Sequence, residues 1–343
     1  MTVKRNPWPR RLAIPGIVLA TAGALLGTSA PPGREHVPRA MNILLMGTDE
    51  RDVISDAEKQ QFHAGGQPCG CTDVLMLVHL SARRDRVSVI GMPRDSAAQI
   101  PPYRQGADGK ERPPHPAKLN AAFQEGGQEL AIRTVESMTG VNIDRFVQVD
   151  FRRFMDTVNE VGGVEVCTPR RLKDSATDLD LEPGKHRLDG GRSLQYVRSR
   201  HVDSSADLGR IQRQQRFLVQ TWRGLQARRL LGDPERALHL VRTLLGSGPQ
   251  GFSVNELVQE AVALRGLPAS ATEFTTVPIG GFAPVSLGIG SALLWDEQKA
   301  DALFAKVRDD QPLVAEGENP RPADPPTVLG STVPVRGSAY ACT

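Results

Sequence analysis

The sequence predicts an α/β domain, and three observations carry that expectation. Apolar runs of strand length stand at residues 42–47, 74–80 and 86–92. Helix-spaced apolar positions occupy 121–139 and about 206–230. The two kinds of segment alternate through 42–278, which is the pattern of a sheet with helices packed on it.

In chain order, Asn42 to Gly47 (NILLMG) reads as the first strand, followed by Thr48-Asp49-Glu50-Arg51-Asp52. Residues 55–72 are polar and Gly-rich and read as a loop. Val74 to Leu80 is continuously apolar, as a strand buried on both faces is. Arg86 to Met92 is a third strand, ending at Pro93-Arg94-Asp95. The prolines of 101–117 predict an irregular loop. The helix over 121–139 turns Leu130, Val135 and Met138 inward. Arg145 to Val149 is a strand. Phe151, Phe154, Met155 and Val158 then fit a helix closed by Gly162-Gly163. Val164 to Cys167 reads as an edge strand, and 170–192 as a loop with a small hairpin.

Residues 194–200 read as a strand end, which would put Arg198 and Arg200 on one face. Ser204 and Asp207 give an S-x-x-D start signal for the next helix. On it Asp207, Arg210 and Gln214 share a face, while Leu208, Ile211, Leu218, Trp222 and Leu225 form an apolar stripe. Helices follow near 234–246 and 254–266, then a late strand over Phe274 to Pro278. A last helix, Asp296 to Asp309, is capped by Asp296. From Pro312 the chain is polar and Pro-rich, and a disordered tail is expected over 312–343.

With 343 residues the chain can bury a full core. Its 42 basic and 39 acidic side chains leave a net charge of +3, so charge alone does not argue for nucleic acid. Four Cys are too few for a disulfide scaffold. The N-terminus says more. Lys4, Arg5, Arg10 and Arg11 precede an apolar segment over 12–30, the order that keeps an N-terminus inside and exports the chain beyond it. The basic residues 1–11 would be cytoplasmic. The segment 12–30 reads as a single-span anchor, or as a signal peptide if Thr28-Ser29-Ala30 is cleaved, and 31–40 as a linker. The bulk of the chain is expected outside the cytoplasm, where disulfides persist. An export segment and the lack of a recognition-helix signature argue against a DNA-binding regulator.

Gly47-Thr48-Asp49, Cys71-Thr72-Asp73, Met92-Pro93-Arg94-Asp95, Lys118-Leu-Asn-Ala-Ala122 and the corner Tyr196 to Gln215 stand in a fixed order. Together they resemble the LytR-CpsA-Psr (LCP) family of bacterial cell-wall proteins, from about 41 to 222, within a catalytic domain expected over 41–311. The resemblance implies a three-layer α-β-α arrangement with a central mixed sheet and an apolar tunnel for an isoprenoid chain. It implies an extracytoplasmic, Mg²⁺-dependent phosphotransferase that moves a glycopolymer from a polyprenyl diphosphate carrier to peptidoglycan. The competing readings are hydrolysis of the same diphosphate link and a non-catalytic envelope protein that binds lipid or polymer or acts as a regulator.

Carried over by position, Arg94, Arg198, Arg200, Arg210 and Gln214 would hold the diphosphate, with Lys118 adding charge. Asp49 and Asp73 would hold Mg²⁺. Asp207 would orient the arginines or take the acceptor hydroxyl's proton, and Arg94, Arg198, Arg200 and Asp207 form the catalytic set. Fixed cations suit this task because phosphoryl transfer spreads negative charge over oxygens. Taken alone, Asp49 reads as a turn residue and Asp73 as a strand-start cap. The sequence departs from the family where many members carry Arg two residues before the second Asp; Cys71 stands there. In an oxidising compartment one of Cys69 and Cys71 could bridge Cys167, which would leave Cys342 free; the sequence leaves the pairing open. His79 reads as a packed core histidine; His201, beside Arg200, is within reach of the donor but is not counted among the site residues.

Overall fold

Six strands form one mixed sheet. In chain order they are β1 (Met41–Thr48), β2 (Thr72–Leu80), β3 (Val87–Gly91), β4 (Arg145–Val149), β5 (Thr272–Thr276) and β6 (Val335–Arg336), arranged β6-β5-β3-β2-β1-β4. The pairs β1/β2, β2/β3 and β5/β6 are antiparallel, while β1/β4 and β3/β5 are parallel. The computed structural model describes residues 39–65, 69–105, 109–246, 251–330 and 332–342. The basic N-terminus and the expected membrane segment lie outside them. Among the described residues no helix is long and apolar enough to cross a membrane.

Eight helices accompany the sheet among the described residues: α1 (Asp56–Gln61), α2 (Leu119–Thr139), α3 (Phe151–Glu160), α4 (Gly190–Arg198), α5 (Ala206–Ala227), α6 (Pro234–Leu245), α7 (Val254–Leu264) and α8 (Glu297–Arg308). Side chains alternate across a strand, so each strand feeds two cores. Leu44, Met46, Leu75, Leu77 and Ile90 pack with Leu130 and Val135 of α2 and Phe304 of α8. On the opposite face Ile43, Leu80 and Val147 meet Val241 and Leu245 of α6, and Met76 and Val89 meet Val219 of α5. That packing is an α-β-α sandwich. The apolar stripe of α5 is divided between cores: Leu208 and Ile211 join the α2 side, and Leu218, Trp222 and Leu225 pack elsewhere. Gly91 permits the crossing of α5 over the end of β3, because a Cβ there would lie 2.4 Å from Ile211 Cγ2.

The structure corrects several expectations. Residues 194–198 are helical: Asp189 caps α4 by accepting from Arg192 N, and Leu194, Tyr196 and Val197 are buried. Arg198 ends that helix and Arg200 follows it in the loop, so the two do not share a strand face. Helix α5 starts where expected, but the S-x-x-D signal does not start it. Ser205 is the N-cap, and its hydroxyl donates instead to Pro326 O at 2.5 Å. The loop 55–72 contains α1, closed by a capping box between Ser55 and Glu58. The segment 101–117 forms ribbons, pairing Ala97–Ile100 with His115–Lys118 and Tyr103–Gln105 with Lys110–Arg112. Val164–Thr168 pairs with Gly184–Leu188 in a ribbon apart from the main sheet.

The tail is the largest correction. Leu313 and Val314 are buried with their amides donating to Glu273, β6 adds to the sheet edge, and Tyr340 is buried. The cysteines pair as Cys69–Cys71 and Cys167–Cys342, so Cys342 is not free and neither Cys69 nor Cys71 reaches Cys167. His79 is a core histidine, 1 % exposed, held between Asn42 Oδ1 and Asp310 Oδ1 at 2.7 and 3.0 Å.

Candidate active site

The site lies where β1 ends and β2 begins. Gly47 pairs with Val74 but Thr48 pairs with Thr72, so Asp73 is the extra residue of a bulge, a device that re-aims a side chain. Asp49 N donates to Cys71 O at 3.1 Å, which holds Asp49 beside that bulge. The turn after β3 adds Arg94 and Asp95. It is pinned to the start of α2 by Leu119 N donating to Ser96 O at 2.8 Å and Asn120 N to Arg94 O at 3.0 Å. Lys118 stands immediately before α2, and α4, its following loop and α5 supply the remaining cations.

The ion pairs interlock. Arg94 Nη1 donates to Asp73 Oδ1. Asp95 is a hub: Lys118 Nζ lies 3.2 Å, Arg200 Nη2 3.6 Å and Arg94 Nε 3.8 Å from its carboxylate. Arg210 is 3 % exposed and sits between Asp207 Oδ1 at 2.6 Å and Asp73 Oδ1 at 3.9 Å, with Arg200 Nε 3.3 Å from the same Asp207 oxygen. Arg198 is held differently. Its guanidinium covers the Phe151 ring at 5.0 Å and donates to His63 O at 3.3 Å. Burial, then the nearby charge of Arg51, pushes Arg198 down from the usual arginine range, and burial does the same to Arg210. For Arg94 the burial penalty is outweighed by Asp73, Asp95 and Asp207, and its pKa is raised. Arg198 and Arg210 are thus cations disfavoured first by burial, Arg198 also by Arg51 beside it, and an added anion would stabilise both.

Hydrogen-bond satisfaction points to the same place. Of thirteen buried side-chain polar atoms without a hydrogen-bond partner among the described residues, six are here: Thr48 Oγ1, Thr72 Oγ1, Arg94 Nε, Arg210 Nε and both Asp207 oxygens. The arginines approach Asp207 closely but off the line of a good hydrogen bond. Native proteins rarely leave such atoms unpaired, and ordered water, an ion or a ligand completes the network.

The sequence-predicted residues Asp49, Asp73, Arg94, Lys118, Arg200, Asp207 and Arg210 are joined through these contacts. Arg198 is close enough for its pKa to respond to Asp49, Asp73 and Arg210. Gln214 is set back, with Nε2 donating to Val197 O at 3.0 Å and tying α5 to the end of α4. His201 turns toward Asp174, 3.4 Å away, with its side chain 72 % exposed. Two participants escaped the sequence reading. Asp95 was visible inside Pro93-Arg94-Asp95 but had no assigned task. Arg51, two residues beyond Asp49, forks that carboxylate with Nε–Oδ1 2.5 Å and Nη2–Oδ2 2.8 Å.

No three His, Cys, Asp or Glu side chains among the described residues gather as a metal cage. Asp49 and Asp73 are two hard-oxygen donors beside the unpaired Thr48 and Thr72 hydroxyls. That donor set fits Mg²⁺ in its commonest protein form, one or two carboxylates with water and phosphate completing the shell.

The chain is a mixed-sheet α/β protein with an arginine-rich corner at its strand ends. The chain belongs to the LytR_cpsA_psr family, whose sequence model matches residues 29–292. It is 34% identical over 78% of its length to a protein of Corynebacterium glutamicum named a probable cell wall biosynthesis protein, LcpB. It is 33% identical over 52% of its length to the Bacillus subtilis polyisoprenyl-teichoic acid–peptidoglycan teichoic acid transferase TagV. The chain spans 61% and 42% of the length of these two relatives. The crystal structure of Bacillus subtilis TagV superposes with a TM-score of 0.61 at 20% identity, covering 80% of this chain and 99% of that one. A structure of TagT (YwtF) with bound octaprenyl pyrophosphate lipid superposes with a TM-score of 0.54 at 21% identity, covering 80% and 91%.

Proposed function

We propose that this protein is an extracytoplasmic phosphotransferase that moves a glycopolymer from a polyprenyl diphosphate carrier to a hydroxyl of peptidoglycan. One observation carries the reading: Arg94, Lys118, Arg200 and Arg210, from distant parts of the chain, converge on Asp73, Asp95 and Asp207. With Arg51 and Arg198 the corner holds six cations against four carboxylates (Asp49, Asp73, Asp95 and Asp207). The excess of two positive charges suits the two negative charges of a diphosphate diester.

In this reading Arg94, Lys118, Arg198, Arg200 and Arg210 grip the diphosphate and stabilise charge as it moves onto the bridging oxygen. The acceptor hydroxyl attacks the phosphorus bonded to the glycopolymer, and the bond from that phosphorus to the bridging oxygen breaks. Polyprenyl phosphate departs, and the glycopolymer is left in a phosphodiester to the acceptor. Asp207, bearing two buried oxygens without a hydrogen-bond partner, receives the hydroxyl proton. Asp49 and Asp73 would hold Mg²⁺, which when bound supplies further neutralisation of the phosphate oxygens. The isoprenoid chain requires an apolar channel beside the corner. The layer between the sheet and α2 is closed in this structure, with Leu44, Leu75, Leu77 and Leu130 at most 3 % exposed, so in this reading it would have to open to admit the lipid. The relatives' names and the octaprenyl pyrophosphate in TagT support the donor class.

The location follows from the same reading. Two disulfides suit an oxidising compartment. Residues 12–30 would anchor the protein as a single pass beside its lipid-borne donor, or release it if cleaved.

The test is turnover of a polyprenyl-diphosphate-linked oligosaccharide by the full chain, with and without peptidoglycan. Transfer that requires the acceptor, and that Arg94→Ala lowers by about 10²–10³ while folding is kept, is the expected result. Release of polyprenyl phosphate without acceptor would mark a hydrolase, and no turnover at all would mark a binding protein.

A further inference from the structure

Arg51 is the cation of this corner with no place in the mechanism above. Its guanidinium is committed: Nε and Nη2 fork Asp49 at 2.5 and 2.8 Å, and Nη1 donates to Gly65 O. The pair is nearly dry, with 16% of the Arg51 side chain and 4% of the Asp49 side chain exposed. Cys69 Sγ, oxidised to the Cys71 disulfide and so unable to donate, lies 3.7 Å from Asp49 Oδ2 and walls that carboxylate on another side. Asp49 therefore has one lone pair of each oxygen engaged by Arg51, and Arg51 competes with any cation that Asp49 would hold.

We propose that Arg51 is a further diphosphate-binding residue, held in reserve by Asp49 and released when Asp49 turns to a divalent cation. This rests on the diphosphate reading of the site. Two physical points favour an exchange of partners over a fixed structural clamp. A buried charge stripped of its partner is expensive, whereas passing Asp49 from Arg51 to a cation, and Arg51 from Asp49 to phosphate, leaves neither uncompensated. The planar fork that matches a carboxylate also matches a phosphate, so Arg51 needs no new geometry to change partners. The surroundings agree: the charges of Asp49 and Asp73 both act on Arg51, and Arg51 in turn acts on Arg198. Arg51 thus stands within electrostatic reach of the cations that would take the anion. Cation and diphosphate would then load together, each easing entry of the other.

A double-mutant cycle in metal-free buffer tests this on the full chain, with inorganic pyrophosphate and farnesyl diphosphate as probes and titration calorimetry as the readout. Asp49→Asn should free Arg51 and tighten pyrophosphate binding by about tenfold, the scale of one hydrogen-bonded charge pair. In an Arg51→Gln background the same change should gain less than about threefold, the residue of general charge relief. Equal gains in both backgrounds would overturn the proposal, because Asp49 would then act on the anion directly and not through Arg51. In the Asp49→Asn background, Arg51→Lys keeps the charge without the fork and should bind pyrophosphate less tightly than Arg51 and more tightly than Arg51→Gln. This milder variant decides the question if Arg51→Gln melts early: in that background, an affinity equal to that of the Arg51 protein would count against a released fork. Arg198→Ala runs alongside. Loss of pyrophosphate binding there, with the Asp49 gain independent of Arg51, sinks the role of Arg51 alone; no loss sinks the diphosphate reading on which it rests.

Discussion

Arg198 and Arg210 look interchangeable in the sequence, both arginines in one short stretch, yet the structure gives them different burdens. Arg210 is 3 % exposed and lies between Asp207 and Asp73, whereas Arg198 rests on the Phe151 ring and a backbone carbonyl. Removing Arg210 takes the closest cation from Asp207 and leaves Asp207 only Arg200 and Asp73 only Arg94, so Arg210→Ala should cost about 3 kcal/mol of stability as well as activity. Removing Arg198 strands no carboxylate. Arg198→Ala should keep its urea midpoint close to wild type while losing about 10²–10³ in turnover. Equal destabilisation of the two variants would show that this division of labour is misread. The residues named by motif were legible because each stands at a fixed place in an ordered set. Arg51 and Asp95 were in plain view but not legible as participants. Their tasks come from partners brought close only by the fold, as when Lys118 and Arg200 meet at Asp95.

Elements were legible where the apolar period was long and their ends were marked. Asp150 and Asp296, for example, each accept a backbone hydrogen bond three residues on and start α3 and α8. The failure at 194–198 has a physical origin. Tyr and Val favour strands and Gly190-Gly191 weakens a helix, yet burial of Leu194, Tyr196 and Val197 together with the Asp189 cap decides for helix. Helix α2 is broken internally: Gly127 has φ +66° and ψ −159°, a region that a side chain disfavours. No atom lies within 4 Å of a Cβ built there, so Gly127→Ala should cost about 1–3 kcal/mol from the backbone alone. Denaturant titration measures it, and a neutral result would mean that α2 straightens readily. The α1 cap sets a pH dependence. Hydrogen bonds from the Ser55 hydroxyl, Arg152 and the Ser55 amide hold the Glu58 carboxyl at about 2 against its usual 4.5. A lowered folded pKa gives stability that is full above pH 4.5 and is lost as pH falls from 4.5 toward 2. Glu58→Gln should flatten the melting temperature across that window, and an unchanged slope would assign the acid loss elsewhere.

At the scale of the whole molecule the alternation of strands and helices through 42–278 was readable and the family resemblance implied the mixed sheet, while the return of the chain after α8 was legible in neither. A polar, Pro-rich stretch lacks a period because its contacts are scattered singly. Leu313 and Val314 reach Glu273, β6 borrows the edge of β5, and Tyr340 packs on Phe274 with its carbonyl taken by Gln220. The Cys167–Cys342 disulfide then closes a sequence separation of 175, tying the tail to the Val164–Thr168 ribbon. A cross-link across so long a loop removes much freedom from the unfolded chain, and native disulfides of this kind contribute about 2–4 kcal/mol. Replacing both cysteines with serine should lower stability by that amount in urea while activity at 25 °C is retained, because Val335 and Tyr340 still hold the tail in place. Tyr340→Ala attacks the same tail by a different route. It should cost about 3–5 kcal/mol from lost packing even with the disulfide intact. If the serine variant melts with wild type under oxidising conditions, the disulfide adds nothing that packing does not already supply. If Tyr340→Ala is silent, it is the disulfide alone that keeps the tail in place.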